Sequence, residues 1–163
     1  MKKDHIRDYA TEAFRFYAAT HMSAIEYREK IRREAIDTVV KRKGSRSGGG
    51  SPTEAQLIYA DKVVEEKVSE IQDMEAVEKT LQEFDRQRFI GPEIKKVVSI
   101  VYFTEPKRPI RKGEIRDRVL KACTEMNISE STAYRYLKRT RLLFAHNRGL
   151  RAGEVEKIDY DEC

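Results

Sequence analysis

The 163-residue sequence predicts an all-α chain, and three observations carry that prediction. Apolar residues recur at three- and four-residue spacing in one segment after another, the period of a helix face. Helix-start chemistry precedes several of these segments, in Ser23 with Glu26, Ser51-Pro52 and Ser129, and Gly149 closes the last. The stretch with strand character, Val97-Val98-Ser99-Ile100-Val101, follows Pro92 and lies between helical patterns, so it also reads as helix.

Residues 1–41 read as an N-terminal helical hairpin. Ile6, Tyr9, Ala10, Ala13, Phe14 and Tyr17 form an aromatic stripe over residues 4–19, whose simplest use is core packing. Thr20-His21-Met22 breaks it. Ser23 and Glu26 form a capping box for a second helix carrying Ile25, Ile31, Ala35, Ile36 and Val39. Residues 42–52 are glycine, serine and cations up to Pro52, with nothing to bury, so they read as a flexible linker. Their glycines lack the spacing of a phosphate-binding loop.

Residues 53–90 read as a long acidic connecting helix. Ser51 is its expected cap, with Pro52 and Glu54 suited to the first turn. Its seam is Leu57, Ala60, Val64, Val68 and Ile71, continued by Met74, Val77, Leu81 and Phe84 with a phase shift near Asp73, where a bend is expected if the helix is not straight. Gly91-Pro92 ends it, and residues 91–151 form the next unit. There a helix from Glu93 to Phe103 is followed by a turn at Glu105-Pro106-Lys107-Arg108-Pro109. The following helix carries Ile115, Val119, Ala122 and Met126 on one face, with Cys123 beside it and Asn127 at its end. Residues 152–163 read as a disordered acidic tail.

Composition excludes several classes. Charged residues make up 37% and mean hydropathy is −0.72, so the core is modest. No apolar run approaches the roughly 20 residues of a membrane helix. Met1-Lys2-Lys3 leads into charged, periodic sequence and not into a signal segment. Two isolated cysteines, Cys123 and Cys163, suit a reducing compartment. There is no G-x-S-x-G, Walker or H-E-x-x-H sequence. His5, His21 and His146 stand far apart, and no cysteine pair has metal spacing. Neither enzymatic activity, a cofactor nor a metal is expected.

Charge is unevenly placed. Residues 54–85 carry 3 basic and 10 acidic groups, whereas residues 86–151 carry 17 and 6, a net +11. That basic block surrounds Ile128-Ser129-Glu130-Ser131-Thr132-Ala133-Tyr134-Arg135-Tyr136-Leu137-Lys138-Arg139. Ser129 suits a helix N-cap and Ile128 a hydrophobic staple before it. Ala133, Leu137, Thr140 and Phe144 recur on one face. A short helix with a packed back, polar groups at its front and a basic flank suits a DNA major groove.

This stretch resembles the second helix of a helix-turn-helix, as in sigma-factor region 4. The fold class is therefore read as all-α: an N-terminal helical hairpin, a flexible Gly/Ser linker, and a long acidic helix leading into a C-terminal sigma-region-4-like helix-turn-helix. Further residues widen the likeness: Arg7-Asp8-Tyr9 with Glu12-Ala13-Phe14-Arg15-Phe16-Tyr17-Ala18, then Glu75-Ala76-Val77-Glu78-Lys79-Thr80-Leu81, Val101-Tyr102-Phe103, and residues 145–150. In that order the set resembles the phage late-transcription regulators of the RinA and ArpU type. The resemblance implies a helical DNA-binding activator of late operons for packaging, morphogenesis and lysis. The resemblance further implies action on double-stranded DNA in the bacterial cytoplasm, at the nucleoid, with an interaction with host RNA polymerase and a homodimer both left open. The first helix of the motif is expected to be long.

Within the stretch, Arg135 suits a guanine edge, Glu130 a cytosine amino group, and Ser131 and Tyr134 either edges or phosphates. Lys112, Thr132, Lys138, Arg139 and Arg141 are the expected phosphate-binding residues. A DNA-recognition subunit of a phage packaging machine, or an interaction module that no longer touches DNA, are the alternatives.

Overall fold

The computed structural model describes residues 4–42 and 51–151, and within them the chain forms seven helices and no strand. These are α1 (His5–Thr20), α2 (Ala24–Arg42), α3 (Glu54–Glu66), α4 (Val68–Arg86), α5 (Gly91–Tyr102), α6 (Glu114–Met126) and α7 (Glu130–Arg148). Most of the expected linker, residues 43–50, and the expected tail, residues 152–163, lie outside the described residues.

Helix ends follow local chemistry. Asp4 accepts from the Arg7 N–H at 3.0 Å to open α1, and His21 closes it at φ 52°. Ser23 and Glu26 bond reciprocally at 3.2 and 2.8 Å ahead of α2. Thr53, not Ser51, caps α3. Its hydroxyl accepts from Gln56 N–H and the Gln56 side chain accepts from Thr53 N–H at 2.7 Å, so two otherwise orphaned donors are satisfied together.

Three expectations about the first half need correction. The acidic segment is not one helix bending at Asp73. It breaks at Lys67, whose N–H bonds Val64 C=O at 3.1 Å, and α4 begins afresh. The cause is tertiary: α3 packs chiefly against α2, while α4 packs against α1, α5 and α7 as well as α2, so the two seams need different directions. Val68, placed on the expected seam, is consequently 48% exposed. Nor do α1 and α2 lie along each other as a hairpin. They meet through the perpendicular Phe16 and Tyr27 rings, 5.7 Å apart, but α2 lies chiefly along α3. Ile25 faces water, because Ala24 starts the buried face of α2 and donates its N–H to Glu78 at 2.6 Å.

Two apolar clusters result. A small one joins Ile31, Val64 and Ile71, from α2, α3 and α4. The large one is built by α1, α4, α5, α6 and α7 around Phe14, whose ring lies 5.6 Å from both Tyr102 and Phe144. Burial of an aromatic side chain of this size contributes about 1.5–3 kcal/mol, so this cluster holds the fold. Val97, Val98 and Val101 are fully buried on one side of α5, which is helical as expected. Gly91 and Pro92 open α5 and do not end α4, which stops at Arg86.

One buried charge sets the position of the following loop. Arg15, 7% exposed, donates to the carbonyls of Thr104, Glu105 and Arg108. Arg108 pairs with Glu105 and Glu114, and Glu114 also pairs with Arg118 at 2.9 Å. The Glu114 carboxyl is held down to about 2, first by the Arg111 backbone N–H and then by the guanidinium groups. Loop 104–111 is thereby tied to both α1 and the first turn of α6.

Candidate nucleic-acid interface

α6 and α7 pack together and are joined by a three-residue connection, Asn127-Ile128-Ser129. Asn127 takes the left-handed conformation at φ 53°, and its N–H and that of Ile128 both bond the Cys123 carbonyl, which closes α6. α6 has 13 residues, close to the average helix, so the expected long first helix is not found. The polar stretch after Ile115 is mostly its solvent face, apart from Arg118, which is 7% exposed and donates to the Val101 carbonyl at 2.9 Å. Ile128 packs against the main cluster, and Ser129 accepts from Thr132 N–H at 3.2 Å, as expected of staple and cap.

The back of α7 is sealed. Ala133, Leu137, Thr140 and Phe144 are at most 1% exposed, and Tyr136, Leu143 and Ala145 join them. Tyr136 donates to Glu93 at 2.8 Å, and burial followed by that bond pushes its hydroxyl up to about 12. The C-terminal half of α7 is further anchored. Tyr9 and Arg148 both donate to Asp73 at 2.6 Å, and Asn147 donates to Thr80 at 3.1 Å.

The front of the N-terminal half is open. Ser131, Tyr134, Arg135 and Lys138 are all exposed and recur at i, i+3, i+4 and i+7, which places them on one stripe. Farther along, Leu142 is half-buried and Ala145 buried, so the stripe closes in the C-terminal half of α7. The first half of the helix is the part left open to solvent.

The other expected residues divide. Glu130 is exposed in the first turn, and Lys112 is exposed on a different element, ahead of α6. Thr132 is half-buried, and its hydroxyl accepts from Ser129 at 2.8 Å, so its first role is in the cap. Arg139 is half-buried and donates to Gln87 at 3.0 Å, at the edge of the stripe. Arg141 is half-buried on the opposite edge. There it lines, with Tyr134, Arg7 and Arg116, a groove of about 1020 Å³ between α1, loop 106–110 and the α6–α7 pair. Sequence reasoning misses this groove, because its walls come from segments roughly a hundred residues apart.

Charge pairing separates two sets of cations. Arg108, Arg118 and Arg148 are engaged within the protein. Lys112, Arg116, Arg135, Lys138 and Arg141 have no ion-pair partner among the described residues. Unpaired cations around an open helix front can neutralise phosphates and release their counterions.

No protein family, no curated protein and no solved structure matches this chain. Among the described residues no helix is long and apolar enough to cross a membrane, and no group of three or more His, Cys, Asp or Glu side chains is placed to hold a metal ion.

Proposed function

We propose that α6 and α7 act as a helix-turn-helix, that the chain binds double-stranded DNA sequence-specifically through α7, and that it activates transcription of phage or prophage late operons. The observation that carries the reading is the stripe of Ser131, Tyr134, Arg135 and Lys138. It is exposed, its cations are unpaired among the described residues, and it stands on a helix whose back is locked into the core behind a three-residue turn. Arg135 reads a guanine edge, with Ser131, Tyr134 and Glu130 beside it. Lys138, Lys112 and Arg141 hold phosphates, and Arg139 does so from its tether on Gln87. The late-operon role rests on the resemblance to the RinA and ArpU type regulators, and host RNA polymerase is then the natural partner at the promoter.

The test is selection of duplexes from a random pool by the full chain, followed by a salt titration on the winners. A defined consensus supports the reading. In Lys138→Ala the slope of log affinity against log salt falls by about 0.9, the value for one phosphate no longer neutralised. Failure to retain any duplex at low salt overturns the reading. Ring-forming oligomers by light scattering move it to a packaging role.

A further inference from the structure

Phe89 is 96% exposed, the most exposed large apolar side chain among the described residues. It does not sit on a slack loop. The Gly91 N–H bonds Gln87 C=O at 2.9 Å, and Gln87 N–H bonds Phe84 C=O at 3.0 Å. A Cβ on Gly91 would lie 1.8 Å from the Phe84 carbonyl oxygen, so the corner is drawn as tight as a glycine allows. Lys95 bonds Asp85 across it at 2.6 Å, and Ile90 packs into the main cluster. The turn thus holds an aromatic ring in water on a braced support, where burying it would have been favourable by about 1.5–3 kcal/mol.

Two further features say what the ring meets. Arg86 and Arg88 precede it, three residues and one residue back, both exposed, and neither has an ion-pair partner among the described residues. The corner also adjoins the helix read as DNA-facing. Gln87, two residues before Phe89, holds Arg139, which lies one turn beyond Arg135 on α7. A helix in a major groove has the minor groove beyond the neighbouring sugar–phosphate strand. An apolar ring preceded by two free arginines is the chemistry of a minor-groove wedge, in which cations take the strand and the ring enters a base step.

Resting on the DNA reading of α7, we infer that Phe89 is such a wedge: it inserts into the minor groove beside the site held by α7, with Arg86 and Arg88 on the phosphates. A protein surface is the competing occupant. Continuity with the open front of α7 through Gln87 and Arg139 favours DNA.

The chain has no tryptophan, so an indole introduced at one position reports alone. Phe89→Trp, Tyr134→Trp and, as a distant control in α3, Ile58→Trp are made separately in the full chain. Each is titrated with a mixed-sequence 30-base-pair duplex (a length of about three helical turns) at low salt, with acrylamide as neutral quencher. In F89W the indole should lose quencher access severalfold and dim on stacking. In Y134W it should be shielded, and in I58W it should not change. Shielding in Y134W with the F89W indole as accessible as before overturns the wedge and leaves the α7 reading standing. Shielding in F89W without dimming leaves the ring outside the base stack and also overturns insertion. No change in either variant overturns both readings. Shielding in F89W by added RNA polymerase but not by the duplex assigns the corner to protein and overturns the wedge.

Discussion

Arg15 and Arg135 show two opposed uses of arginine in one chain. Arg15 is withdrawn from water and directs its donors at three loop carbonyls, and burial lowers its pKa. Arg135 stands in water with no ion-pair partner among the described residues, its donors free for a base edge. The sequence does not separate them, because a cation beside an apolar stripe reads as solvent-facing until the tertiary partners are known. Arg139 and Thr132 are legible as polar residues of the stretch 128–139, but not as ones already engaged, since Gln87 is 52 positions away and the Ser129–Thr132 bond depends on rotamers. At this scale Arg135→Ala should remove about 1–3 kcal/mol of preference at one base pair of the selected site, with other positions unchanged. Competition binding against single-base variants measures it. Equal weakening on every variant contradicts a base-reading role.

Helices with strong punctuation are the most legible elements. α7 carries its cap at Ser129, its C-terminal glycine at Gly149 in the left-handed region, and an apolar face at three- and four-residue spacing, and all three are found. The break at Lys67 is not legible, because no glycine or proline marks it and only the competing pulls of α2 and the main cluster produce it. The α4–α5 corner lies between these cases. Gly91-Pro92 is visible as a boundary, but the close approach to Phe84 is not. That approach decides the outcome of Gly91→Ala. Helix propensity alone favours alanine by about 1 kcal/mol. The clash with the Phe84 carbonyl is with backbone, which cannot rotate away, and forced overpacking costs about 1–3 kcal/mol or more. Gly91→Ala should therefore lower the urea midpoint of the full chain, and a midpoint that is unchanged or raised contradicts the tight corner.

On the scale of the whole molecule, two clusters divide the labour. The smaller couples α2 and α3 to α4, and the larger sets α1, α4, α5, α6 and α7 around Phe14. α4 belongs to both, so the acidic segment is the spine that links the α2–α3 pair to the α6–α7 pair. Its outer side carries Glu75 and Glu83 together with Lys79 and Arg86, while Glu78 turns to the first turn of α2. The charge blocks are plain in the sequence. Their arrangement in space is not, since it follows from α4 lying behind α7.

The most direct measurement is genome-wide recovery of DNA bound to the chain in a lysogenic host after prophage induction. A single sharp peak upstream of a late operon, absent in Arg135→Ala, is the predicted result. Even recovery across the genome, or a peak at a packaging site, contradicts it.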